Sequence, residues 1–384
     1  MTIHDNRVLM VAGEASADAH AAALLGELRK LNPKVEAFGL GGSRLREAGC
    51  ELFLDFSQAA VVGITEVLPQ TGTYISAYRS LIKEIKQRPP RAAVLLDMPD
   101  FNIFLAGRIK RISPPTRIIY YISPQVWAWR PGRVRKIAAR ADTMLVLFDF
   151  EEKLYKKAGM DAEFVGHPLR DTIAASASAD ELREEFELGS EERVIALLPG
   201  SRTAEVNRYL PAMAEAVAEL DDSSVNVAFL LARAPGLPDD MIKRMLGQAA
   251  GRVRIESGRT YDVLEASDMA VVASGTATLE TAIMEKPMVV LAAVSRLSYE
   301  IGIRMVNIPR YSLPNVIAGR ELVPELVQNE VNGRELARRI RDMLEHPERL
   351  ETIKKELRLV KQSLGPGGAS ARTARAVYRR LWQR

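Results

Sequence analysis

One cysteine, Cys50, is all the thiol chemistry in this 384-residue chain. That excludes a disulfide framework and a cysteine-based zinc site, and it fits a reducing compartment. Histidine is nearly as scarce: His4, His20, His167 and His346 are the full set, none at a metal-ligand spacing from another. No metal and no cofactor are expected. No apolar run approaches the roughly 18 residues that a membrane span requires. The apolar start Val8–Ala12 is short and leads straight into a polar turn, so no signal peptide is expected. The chain should be soluble, or at most lie on a membrane. Internal repeats and low-complexity segments are also missing.

What is present is ordinary globular material, 47% hydrophobic and 27% charged residues. The chain is too long for one average domain, so two α/β halves are the natural expectation. Net charge is +4 but unevenly spread: from Arg334 to Arg384 there are 14 Lys and Arg against 6 Asp and Glu. Such a basic tail reads either as a solvated helix face or as a surface for anionic lipid. Nucleic acid is disfavoured, because the basic charge is not interleaved with a stacking platform.

Strands and helices alternate through both halves. In the first, apolar strands are expected at Arg7–Ala12, Val35–Phe38, Ala60–Leu68, Ala92–Leu96, Arg117–Ile122, Thr143–Leu147 and Glu163–Val165, with helices over His20–Leu31 and Tyr74–Gln87. Gly39-Leu-Gly-Gly-Ser43 departs from the dinucleotide fingerprint and follows the second strand, so it reads as a tight strand–helix turn. The stretch Ala174–Asp180 is of linker type. A second series follows, with strands at Arg193–Leu198, Val225–Leu230, Val253–Ile255, Met269–Ala273 and Met288–Leu291. The expected fold is therefore two doubly wound, Rossmann-like parallel-sheet domains facing across a cleft. Residues 1–168 form the first, joined by the C-terminal helix 369–384; 180–345 form the second; 346–384 form a basic helical tail.

Chemistry concentrates in the loops at the carboxyl ends of the strands. Ser274-Gly275-Thr276 joins an apolar strand to a helix, where free N–H groups and the positive dipole end suit a phosphate or diphosphate. Glu280 lies one turn further on the same face. A capping box needs the glutamate three residues after the cap, and neither Ser274 nor Thr276 meets that spacing. Glu280 is then a ligand for a ribose diol or a plain surface residue. Gly200-Ser201-Arg202 follows the first strand of the second domain, and the planar fork of an arginine matches two phosphate oxygens. Asp97 and Asp100 follow an apolar strand of the first domain; Asp97 serves either as a general base or as a cap for the next turn. Asp18 reads as a helix cap before a catalytic group. Asn315, ahead of the polar loop Gly319–Glu321, offers its amide to a sugar or closes a turn. The apolar stretch Val61–Tyr78 is either core or a membrane-facing surface.

Taken together, Gly13-Glu-Ala-Ser-Ala-Asp18, Asp97-x-Pro-Asp-Phe-Asn102, Ser123-Pro-x-Val-Trp-Ala-Trp-Arg130, Leu198-Pro-Gly-Ser-Arg202, Ser274–Glu280 and Ser312-Leu-Pro-Asn315 resemble the lipid-A-disaccharide synthase family, in order from about residue 7 to residue 327. The resemblance implies a GT-B fold and an inverting, metal-independent glycosyltransferase. It implies transfer of 2,3-diacylglucosamine from its UDP form to the 6-hydroxyl of 2,3-diacylglucosamine 1-phosphate. By the same resemblance Asp97, Asp100 and Glu14 are the catalytic candidates. Gly200, Ser201, Arg202, Ser274, Gly275, Thr276, Glu280, Asn315 and Glu321 fall on the UDP-sugar side. Ser16, Asp18, Asn102, Gln125 and Trp127 fall on the acceptor side. The implied setting is the cytoplasmic face of the inner membrane, as a peripheral protein and a possible homodimer. The rival functions are a UDP-sugar 2-epimerase, which wants more acid/base groups than two cleft histidines supply, and a basic membrane-binding module, which leaves both phosphate loops idle.

Overall fold

In a computed structural model, which describes residues 4–13, 15–55, 67–127, 131–221, 226–293 and 310–383, the strands form two separate parallel sheets. The chain divides into two units, Met1–Asp171 with Leu364–Arg384, and Thr172–Ser363. The first unit holds β1 (His4–Ala12), β2 (Glu36–Gly41), β3 (Glu51–Asp55), β4 (Pro90–Leu96), β5 (Arg117–Tyr121), β6 (Thr143–Val146) and β7 (Asp161–Phe164). Their order across the sheet is β3-β2-β1-β4-β5-β6-β7, with every pair parallel. The second holds β8 (Arg193–Leu198), β9 (Val227–Arg233), β10 (Val253–Ser257), β11 (Met269–Ala273), β12 (Met288–Ala292) and β13 (Glu325–Val327), ordered β10-β9-β8-β11-β12-β13. Its pairs are parallel too.

Helices on both faces of a parallel sheet bury each central strand from both sides, which is why these strands are unbroken apolar runs rather than alternating ones. All five residues of β11 and of β12 are buried. In each sheet the strand order reverses once, at β1/β4 and at β8/β11. Loops leaving the carboxyl ends of strands on either side of such a reversal splay apart and open a crevice. The loops at these two points are Gly13 onward with Asp97–Asp100, and Gly200–Arg202 with Ser274–Thr276.

Several boundaries differ from expectation. The first helix runs Ala15–Leu31, so it absorbs residues read as loop; Ala15 and Ala17 are strong helix formers and outweigh the polar residues among them. The helix expected at Tyr74 begins at Val67. The expected strand Ala60–Leu68 lies outside the described residues up to 66. Strands β3 and β13 lie outside the expected set: β13 has only three residues, and the apolar run of β3, Leu52-Phe53-Leu54, is three residues between Glu51 and Asp55.

Asp18 does not cap its own helix. It is buried, and its carboxylate reaches over to accept the N–H groups of Gly42 (2.6 Å), Arg44 (3.0 Å) and Leu45 (3.2 Å). It thereby holds the Gly39–Ser43 turn and the start of the helix Ser43–Glu47. This corrects both readings of Asp18, as a cap for the first helix and as an acceptor ligand, because its oxygens are already used.

The basic tail is not one element. Helix Pro347–Ser363 buries Leu350, Ile353, Leu357 and Val360 in the second unit, whereas Ala369–Trp382 belongs to the first. Asp171 accepts the N–H groups of Gly368 and Ala369 and so anchors the last helix. Much of its charge is answered locally: Arg379 and Arg380 pair with Asp161 and Glu163 of β7. Arg358 and Lys361 likewise pair with Glu285. Paired cations offer a lipid headgroup little, so the tail reads as folded structure.

Candidate active site

In the second unit the Gly200–Arg202 and Ser274–Thr276 loops line one cavity of about 480 Å³, with Thr260, Ala277 and Glu280 also in its wall. Two glycines make the turns possible. Gly275 has φ +148° and Gly200 φ +112°, a region that residues with a Cβ rarely enter. No side chain caps the helix Thr276–Ile283 that follows Gly275. Its first N–H groups therefore face the cavity with the positive end of the helix dipole behind them. Ser274 donates its hydroxyl to the Tyr311 carbonyl at 3.0 Å, which ties the loop to the segment after it.

Glu280 sits half-buried in the cavity wall, one helical turn beyond Thr276. Tyr261, unforeseen from the sequence, donates its hydroxyl to Glu280 Oε1 at 3.1 Å. Burial pushes the Glu280 carboxyl above its ordinary value, and the Tyr261 hydrogen bond pulls the other way. Glu205 also escaped notice: its carboxylate bonds the Ser201 and Arg202 backbone at the same cavity. The available signal was an acidic residue in the first turn of the helix Thr203–Asp221.

Two residues of the UDP-sugar set lie elsewhere. Asn315 is fully buried, and its whole amide is used: Nδ2 donates to the Val323 carbonyl and to Glu325, while Oδ1 accepts from Leu322 and Val323 N–H. With no atom left over for a sugar, its part is to fold the 312–325 loop, which corrects its expected place. Glu325 completes that loop by accepting from the Tyr311 and Ser312 N–H groups and the Ser312 hydroxyl. Glu321 is exposed on the turn after Gly319 and is not in the cavity wall.

In the first unit the β4 end is a strained turn. Asp97 (φ +52°) and Met98 (φ +42°) are consecutive left-handed residues, and Ile122 after β5 is a third (φ +69°). Such conformations cost of order 1–3 kcal/mol each and persist where surrounding bonds impose them. Here Asn102 is buried and donates to the Leu96 (3.0 Å) and Asp97 (2.8 Å) carbonyls, while Tyr120 donates its hydroxyl to Asp97 O at 2.7 Å. Asn102 thus shapes the turn that carries Asp97 through its Nδ2, while its buried Oδ1 has no hydrogen-bond partner among the described residues. Asp97 is half-buried, and Asp100 is exposed with Arg133 Nη2 at 2.5 Å from Oδ1. Ser16 and Gln125 are exposed, and Glu14 lies outside the described residues.

Trp127 donates its indole N–H to Glu151 Oε1 at 3.1 Å and packs edge-on against Phe150. Glu151 is buried, and desolvation raises its carboxyl to about 7 against the bonds it accepts. Between its unfolded value near 4.5 and about 7 the folded chain holds the extra proton, so stability should fall as pH rises through that window. Urea unfolding at pH 5, 6 and 7.5 should show Glu151→Gln gaining on the parent with pH. An offset that does not change with pH would remove Glu151 as the source.

Among the described residues no group of three or more His, Cys, Asp and Glu is placed to hold a metal ion.

The chain is similar along nearly its whole length to known proteins. The family model of lipid-A-disaccharide synthetase matches residues 8–377. The lipid-A-disaccharide synthase of Geobacter sulfurreducens is 40% identical over 376 residues, covering 98% of this chain and 97% of that one. That of Syntrophus aciditrophicus is 43% identical over 368 residues, 96% of each chain. Among solved structures, the calicheamicin glycosyltransferase CalG4 (TM-score 0.62, 13% identity, 99% of each chain) has the same fold. So has S. aureus MnaA with UDP (TM-score 0.66, 12% identity, 99% of this chain and 98% of that). The UDP-GlcNAc 2-epimerase of Neisseria meningitidis is a third neighbour (TM-score 0.60, 12% identity, 93% of this chain and 99% of that). Identities this low speak for the GT-B fold and not for an activity, so the epimerase alternative has the architecture alone. The matched family and the relatives at about 40% identity go further: this chain belongs to the lipid-A-disaccharide synthase family, the glycosyltransferases of lipid A biosynthesis.

Proposed function

We propose that the chain moves 2,3-diacylglucosamine from UDP-2,3-diacylglucosamine to the 6-hydroxyl of 2,3-diacylglucosamine 1-phosphate. The observation that carries this is the convergence of two phosphate-type loops and a half-buried glutamate on one cavity. The Arg202 fork and the N–H groups at Ser201, Thr276 and Ala277 meet the diphosphate, and Glu280 takes the ribose diol by two hydrogen bonds. Asp97 accepts the proton of the attacking 6-hydroxyl as its oxygen bonds the sugar C1 and the C1–phosphate bond breaks, releasing UDP. The family resemblance carries the base role to Asp97, at the carboxyl end of β4, while Asp100 pairs with Arg133. Attack on the face opposite the leaving diphosphate inverts C1 and gives the β-1,6 linkage.

The acyl chains of both substrates call for contact with a bilayer surface. No helix among the described residues is long and apolar enough to cross one. Ile75 and Phe104 are 46% and 61% exposed, and Tyr78, one turn from Ile75, packs on Phe104 with ring centroids 5.4 Å apart. This apolar face supports peripheral attachment at the inner face of the inner membrane. The rest of the expected Val61–Tyr78 patch lies outside the described residues or side chains.

The test is UDP release from the UDP-activated donor in detergent micelles. Release should depend on the acylated acceptor and be unchanged by EDTA, since arginine and backbone donors meet the diphosphate charge. UDP release without acceptor, or activity restored by magnesium after EDTA, would refute the reading.

A further inference from the structure

The loop after β8 already holds an anion of its own. Glu205 lies in the first turn of the helix Thr203–Asp221, and its side chain folds back over Gly200–Arg202. Oε2 accepts the Ser201 N–H at 3.0 Å and the Arg202 N–H at 3.3 Å, and Oε1 stands 3.4 Å from Arg202 Nη1. A Cβ on Gly200 would come within 2.5 Å of Oε2, so the glycine leaves the room that this carboxylate occupies. A glutamate at the third position of a helix often reaches back in this way, as half of a capping box. Here the residue before the helix is Arg202, whose side chain cannot return the bond. Beside the Arg202 N–H that such a glutamate takes, this carboxylate also accepts the Ser201 N–H, so it holds the donors that suit a phosphate oxygen, inside the cavity wall.

One N–H group cannot serve two anions well. We propose that Glu205 is a specificity-determining residue of this site: a built-in counter-anion that yields the Ser201 and Arg202 donors to a diphosphate and withholds them from weaker anions. The proposal rests on the reading of the cavity as a UDP-sugar site. The carboxylate carries one charge and, being tethered, competes without a translational entropy cost. A diphosphate brings more charge and more oxygens, matches the arginine fork, and also gains the Thr276–Ala277 end of the cavity. A single weak anion lacks that second foothold. The Glu205 side chain, 34% exposed in place, needs only to swing outward into water.

Calorimetry on the full chain with UDP, inorganic pyrophosphate and uridine tests this. Glu205→Gln keeps the shape and removes the charge, so UDP and pyrophosphate should bind roughly three- to ten-fold more tightly, the worth of one or two competing hydrogen bonds. Uridine, which has no phosphate, should bind as it does to the parent. Glu205→Ala should show the same selective gain and guards against a glutamine that simply takes over the bonds. In the parent, the Glu205 side-chain carboxyl ¹³C resonance should move on addition of UDP. Unchanged or weaker UDP binding by both variants, with uridine unchanged, makes Glu205 a capping residue and overturns the proposal. So does a carboxyl resonance that UDP leaves in place, whether or not the variants fold. A parent that fails to bind UDP at all overturns the UDP-sugar reading itself, which is a separate result.

Discussion

Asp97→Asn is expected to lower kcat by roughly 10²–10⁴-fold, the range a positioned base contributes, and to leave UDP affinity where it was. Asparagine is the informative replacement because of the backbone. Asp97 sits at φ +52°, a left-handed conformation that aspartate and asparagine enter more readily than other side-chain-bearing residues. The bonds that impose the turn, from Asn102 and Tyr120, go to the Asp97 carbonyl and survive the change. What disappears is the carboxylate's charge and with it the ability to take a proton. The cavity with the phosphate-type loops is built entirely from the second unit, so nucleotide binding provides an internal control. Alanine at the same position would mix lost chemistry with backbone strain. A variant that keeps more than a tenth of the parent kcat, or that loses UDP binding along with turnover, removes Asp97 as the base.

Glu280→Ala should weaken UDP binding by roughly 1.5–3 kcal/mol, about 10- to 150-fold, the scale of charge-assisted hydrogen bonds. The carboxylate is half-buried, so water competes for it less than at an open surface, and Tyr261 holds it in one orientation. UMP should lose as much as UDP, because the ribose is common to both, whereas pyrophosphate should lose nothing. That pattern separates a diol ligand from a residue acting on the phosphates. Tyr261→Phe removes the orienting bond but leaves the carboxylate, so its loss should be smaller and of the same kind. Equal affinities for UDP in the parent and a folded Glu280→Ala variant would return Glu280 to the helix surface.

Much of this architecture is written locally. The uninterrupted apolar runs Val194–Leu198 and Met269–Ala273, each ending in a glycine turn before a helix, mark buried parallel strands with phosphate-type loops, and both loops do meet at one cavity. The failure of the capping spacing around Glu280 likewise needed only chain positions, and no side chain caps that helix. Polar residues in loops were another matter. Asp18, Asn102 and Asn315 all read as ligands or turn formers, yet each is buried and bonds backbone groups, those of Asp18 lying 24 to 27 residues away, with Asn315 bonding the Glu325 carboxylate as well.

The sequence by itself determined the strand–helix alternation, the phosphate-type loops at the strand ends and the family, since periodicity, glycine conformation and helix polarity depend on neighbours a few residues apart. Only the tertiary structure decided which polar side chains remain available for chemistry. Tyr261 meets Glu280 across 19 residues, Trp127 meets Glu151 across 24, and Arg379 and Arg380 of the tail meet β7 across more than 200. A carboxylate or amide in a loop has the same local signature whether it faces a substrate or lies pinned beneath another turn. Which of the two it does depends on the chain that folds over it, and that is set by the order of strands in the sheet.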